Sequence, residues 1–103
     1  MEQLRDMNLA GMTIIEHRAY GVNVVGKIDG CGVVFRDGAL HLSWHHHDGL
    51  CRTTTFLSSC WECEIVADVI FLIRIAKNPL DRGDLTNPWD DANLYTIVQQ
   101  ARP

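Results

Sequence analysis

Residues 27–51, "KIDGCGVVFRDGALHLSWHHHDGLC", contain three Asp-Gly pairs, at Asp29-Gly30, Asp37-Gly38 and Asp48-Gly49. Asp-Gly suits the two-residue type I′ hairpin turn, because both central residues must take positive φ. The spacing predicts strands over residues 20–28, 31–36, 39–47 and 50–56. Short hairpins pair neighbours in antiparallel order, which gives a four-strand meander. "MTIIEHR", residues 12–18, is read as a fifth strand.

Two-residue turns also fix a register. They place Ile28 opposite Cys31, Phe35 opposite Leu40, Val33 opposite Leu42, His46 opposite Cys51 and Trp44 opposite Thr53. Paired residues share a face. One face then collects Val22, Val24, Gly26, Ile28, Cys31, Val33, Phe35, Leu40, Leu42, Trp44, His46, Cys51, Thr53 and Thr55, and is expected to be the core side. The other collects Asn23, Val25, Lys27, Val34, Arg36, His41, Ser43, His45, Arg52, Thr54 and Phe56, and is mixed.

Beyond the sheet, "SSCWECEIVADVIFLIRIAKN" (58–78) is read as a long helix over 59–78. Ser59 with Glu62 forms a capping-box pattern, and Trp61, Ile65, Val69, Leu72, Ile73 and Ala76 make an apolar stripe suited to cover the sheet. A loop over 79–87 follows. Asn87-Pro88 then reads as the start of a C-terminal helix over 88–101, with Leu94, Ile97, Val98 and Ala101 as its stripe. Strands followed by helices define an α+β class, here a single domain with an N-terminal segment over 1–11 and the sheet over 12–56.

Four histidines within residues 41–47 raise the question of a metal site. Alternation puts His41, His45 and His47 on the mixed face and His46 inside, beside Trp44. His45 and His47, two apart on a strand, stand about 7 Å from each other, a usable separation for two zinc ligands. Arg52, opposite His45 in this register, repels a cation, and His41 is too distant to join. Cys60-Trp61-Glu62-Cys63 is a CxxC at the expected helix start, where helix amides stabilise a thiolate. Glu62 opposes that charge, and Cys31 and Cys51 fall too far away to complete a zinc site. No metal is favoured on this reading; His45, His47, Cys60 and Cys63 are the candidates. Arg82-Gly83-Asp84 is read as a turn.

Composition narrows the classes. With 47% apolar and 21% charged residues the chain can build a core, and its net charge of −4 opposes general binding to nucleic acid or anionic membranes. The start, "MEQLRDMNLAG", lacks a basic region followed by an apolar run, so a cytoplasmic chain with reduced thiols is expected. No phosphate loop, nucleophile elbow or paired-carboxylate spacing is present, and no cofactor is expected.

Three functional readings follow. The leading one is a small oligomeric interaction protein without catalysis, a homodimer formed through the second apolar flank of the 59–78 helix. The second is a small-molecule-binding or enzymatic domain whose pocket uses Trp44, His46, Thr53 and Thr55. The third is a metal-binding protein using the histidine cluster or the CxxC.

Overall fold

The computed structural model describes residues 2–5, 7–18, 22–46, 49–76 and 92–99, with the backbone alone for Glu2 and Cys31. A short 3-10 turn (Glu2–Leu4) precedes seven strands: β1 (Thr13–Arg18), β2 (Val24–Arg36), β3 (Ala39–His46), β4 (Cys51–Leu57), β5 (Trp61–Val66), β6 (Val69–Arg74) and β7 (Ala92–Val98). They form one antiparallel sheet in the order β4-β3-β2-β1-β7-β6-β5.

The α+β expectation is overturned, because the described residues contain no α-helix. Residues 61–74 are a hairpin with Val66 paired to Val69 across Ala67-Asp68, whose φ values of 49° and 67° make the turn. The apolar recurrence read as a helical stripe belongs to strands. In β6, Ile70 and Leu72 face the core while Val69, Phe71 and Ile73 are half-buried on the other face, so nearly every position is apolar. Ile65, Val66, Val69, Ile70, Ile73 and Ile75 are β-branched, which favours the pleat. Over 92–98 the expected C-terminal helix is instead β7. Residues 88–91 and 100–101 of that segment, the 79–87 loop with Arg82-Gly83-Asp84, and His47 lie outside the described residues.

Of the three Asp-Gly pairs, Asp37-Gly38 turns as expected, with φ values of 53° and 71° and Phe35 opposite Leu40. Asp29-Gly30 does not turn. It lies within β2, where residues 29–32 oppose Ser43 alone, so the extra residues form a bulge. A Cβ on Gly32 would come within 2.6 Å of Ser43 Cβ, which is why glycine stands there. The third hairpin is displaced by one position. His46 N–H donates to Leu50 C=O and Gly49 N–H donates to His46 C=O, with Gly49 at φ 92°. Three residues therefore separate the paired ends, the longer hairpin type with glycine in the left-handed region. Every β4 side chain changes face as a result: Trp44 pairs with Arg52 rather than Thr53, and His45 pairs with Cys51.

A flat seven-stranded sheet would separate β4 from β5 by about 29 Å, yet only residues 58–60 join them, a link that reaches about 14 Å. The sheet must curl into a half-barrel, and its inner side chains meet across the concavity. Phe56 of β4 packs edge-on against Trp61 of β5 at 4.9 Å and Tyr95 of β7 at 5.0 Å. Leu4, Leu9, Ile14, Leu40, Leu42, Trp44, Phe56, Ile70, Leu72 and Ile97 are almost completely buried. Gln3 Nε2 donates to Cys63 C=O at 3.1 Å, fixing the N-terminal turn to the β5 edge.

Among the described residues, the carboxylate of Glu16 is buried in this interior. Glu16 accepts from Tyr95 Oη at 2.6 Å and from Arg18 Nε at 2.9 Å, and Arg52 Nη1 lies 3.6 Å from it. Two cations and a phenol offset a desolvation cost that an unpaired carboxylate could not sustain. Trp44 Nε1 donates to Thr54 Oγ1 at 3.0 Å, so the indole N–H is also satisfied.

Candidate metal centre

On the outer face, one rank of residues crosses four strands: Thr13 pairs with Lys27, Lys27 with His45, and His45 with Cys51. Asp29 stands two residues beyond Lys27, where the β2 bulge begins. Its Oδ2 lies 3.3 Å from His45 Nε2. One donor atom each from Asp29, His45 and Cys51 fall within 4.8 Å of one another. Asp29 is half-buried, whereas His45 and Cys51 are exposed.

A tetrahedral zinc ion with bonds of about 2.0 Å to N and O and 2.3 Å to S holds its ligand atoms about 3.3–3.6 Å apart. The Asp29–His45 separation already matches one edge of that tetrahedron. The other donor separations, no more than 4.8 Å, exceed that edge by at most about 1.5 Å, and the Cys51 side chain is exposed. Carboxylate, imidazole and thiolate together favour a borderline-soft ion over magnesium or calcium, which prefer oxygen alone. A bound Zn²⁺ would be held by the Cys51 sulfur as thiolate, and the two anionic ligands would neutralise its charge.

The displaced hairpin changes the electrostatics. Arg52, expected opposite His45, points into the half-barrel instead, where it meets Glu16 and lies 5.6 Å over the Trp44 ring. Cys51 takes its place beside His45, while Lys27 remains paired to His45 on the other side.

The other sequence candidates do not converge. Cys60 is buried, and Cys63 is half-buried, with burial raising its thiol pKa against the opposing pull of the N-terminal amine. His41 engages Thr55 Oγ1 at 3.1 Å, and His17 engages Thr96 Oγ1 at 2.9 Å. Among the expected pocket residues, Trp44 is buried inside, while Thr53 and Thr55 are exposed on the opposite face from it. His46 lines a groove of about 340 Å³ with Thr13, Val25, Gly26, Lys27 and His45. Trp44, His46, Thr53 and Thr55 therefore do not form one pocket.

Sequence reading missed Asp29 and Cys51 because both depend on irregular backbone. The signal present was "DGCG", residues 29–32, whose paired glycines mark a bulge as well as a turn. No helix among the described residues is long and apolar enough to cross a membrane. No protein-family model, curated protein or solved structure matches the chain.

Proposed function

We propose that this chain is a transition-metal-binding protein that holds one zinc-class divalent ion through Asp29, His45 and Cys51. The observation that carries the reading is the convergence of three chemically different donors from adjacent strands within 4.8 Å. Three protein ligands leave a fourth position for water or a ligand, the pattern of reactive rather than purely structural zinc sites. The earlier interaction reading relied on a helical flank over 59–78, and that segment is a hairpin.

Untagged, metal-stripped protein is titrated with Co²⁺ and then with Zn²⁺. One equivalent of Co²⁺ should produce a thiolate-to-cobalt charge-transfer band, and Zn²⁺ should abolish it by displacement. Cys51→Ser removes the band, and Asp29→Asn and His45→Gln each weaken binding at least about tenfold. Absence of stoichiometric binding, or a band unchanged in Cys51→Ser, overturns the proposal.

A further inference from the structure

The sheet order ends at β4 on one side and β5 on the other, so among the described residues each of these strands has one side without a strand neighbour. The ladder between β3 and β4 shows which backbone groups of β4 lie on that side. His46 N–H donates to Leu50 C=O at one end, and Ser58 N–H donates to Gly38 C=O at the other. Both pairs continue the register that sets Trp44 opposite Arg52 and Leu42 opposite Thr54. Bonded pairs alternate with unbonded ones in an antiparallel ladder. Arg52, Thr54 and Phe56 therefore direct their N–H and C=O groups to β3, while Cys51, Thr53 and Thr55 direct theirs outward. Leu57 C=O accepts from Cys60 N–H at 2.9 Å in the turn to β5, so the open stretch is 51–55.

The two edges are not alike. On β5, Gln3 Nε2 already donates to Cys63 C=O, and Glu62 and Glu64 stand exposed on one face. Two copies of β5 side by side would oppose like charges. β4 carries none of these guards. It has no proline, glycine or register shift, and its Thr53 and Thr55 are exposed and uncharged. Its one charge, Arg52, points into the concavity at Glu16. We infer that two copies of this chain associate through β4, antiparallel about a two-fold axis at Thr53. Thr53 then pairs with its own counterpart and Cys51 with the second copy's Thr55, and the narrow pairs supply about six backbone hydrogen bonds. Cys51, Thr53 and Thr55 of both copies share the outer face, and Arg52 stands opposite an uncharged Thr54. Facing threonines suit such a ladder. The pairing uses up the open edge of both copies and leaves the guarded β5 edges outermost, so assembly stops at the dimer. Only backbone groups are needed, so the inference does not rest on the metal centre.

The test is sedimentation equilibrium on the untagged full chain. A single strand pair is a small interface, so a reversible dimer with a Kd on the order of 100 µM is expected. Hydrogen exchange followed by NMR locates the contact. Raising the protein concentration should slow exchange of the Thr53 and Thr55 amides and leave those of Arg52 and Thr54 as they were. Thr53→Lys sets two ammonium groups together on the axis and should weaken the dimer at least about fivefold. Equimolar mixing with Thr53→Glu should restore it as a heterodimer. A monomer at every concentration up to about 1 mM, growth beyond the dimer, or exchange at Thr53 and Thr55 that ignores concentration overturns the inference. So does a dimer that neither charged variant alters. Should a variant fail to fold, the wild-type exchange pattern decides alone.

Discussion

Replacing Tyr95 with Phe removes the hydroxyl that donates to Glu16 at 2.6 Å and keeps the ring that packs against Phe56 and Trp61. A hydrogen bond to a charged acceptor is worth about 1.5–3 kcal/mol. Glu16 retains Arg18 and Arg52 on its other oxygen, so the expected loss at neutral pH is about 2 kcal/mol. The same bond carries a pH signature. Burial first, and then the hydrogen bond and charge of Glu16, push the Tyr95 phenol well above its ordinary value of 10.0. Folded Tyr95 keeps its proton at pH values where the unfolded chain releases it. Its contribution is complete below about pH 10 and falls as pH rises, by more than about 1 kcal/mol at pH 11. Tyr95→Phe lacks this titration, and the remaining groups titrate alike in both proteins. Urea denaturation, followed by the fluorescence of buried Trp44 and Trp61, should show a gap of about 2 kcal/mol at pH 7 that narrows to about 1 kcal/mol or less at pH 11. A gap that is missing at pH 7, or constant across the range, would refute the assignment of this network.

Ala67→Gly relieves a non-glycine residue at φ 49° and should raise stability by about 1 kcal/mol in chemical denaturation; a helix at that place would instead lose about 1 kcal/mol. Gly26→Ala would set a Cβ 2.3 Å from His45 O and 2.4 Å from the Trp44 ring, so a loss of about 2–3 kcal/mol is expected, read as a lowered urea midpoint. Zinc at a hundredfold excess over its Kd should stabilise the fold by about 2.7 kcal/mol, seen as a raised Tm by calorimetry. Cys51→Ser should lack that rise, and an equal rise in both proteins contradicts the assigned ligands.

What was legible in the sequence follows a physical line. At Asp37-Gly38 local turn chemistry and the strands on either side agree, and the expected pairing of Val33 with Leu42 holds. At Asp48-Gly49 the same dipeptide serves two hairpin types that differ by one residue, and local chemistry does not separate them. That single residue decides whether Arg52 or Cys51 faces His45, so the candidate site was hidden even though most of the strand content was not. The 61–74 segment failed for another reason. When both faces of a strand are substantially apolar, as in β6, period two vanishes and any stripe at three or four residues can be found. The Ser59 to Glu62 capping pattern lent that stripe an unearned boundary, while the density of β-branched residues pointed the other way. Long-range order was beyond local reading. Nothing near Glu16 announces Tyr95, its partner 79 residues away.

The place of β7 in the sheet bears on how the chain is made. It joins β1 to β6, so the two arms of the sheet have no common ladder until it is added. During synthesis both arms wait with open edges on β1 and β6 for a segment that leaves the ribosome after them. Such late, distant pairing is slow and exposes sticky strand margins meanwhile. Nascent chains stalled before residue 92 should therefore be the ones that clump or recruit chaperones, and release of β7 should end that dependence.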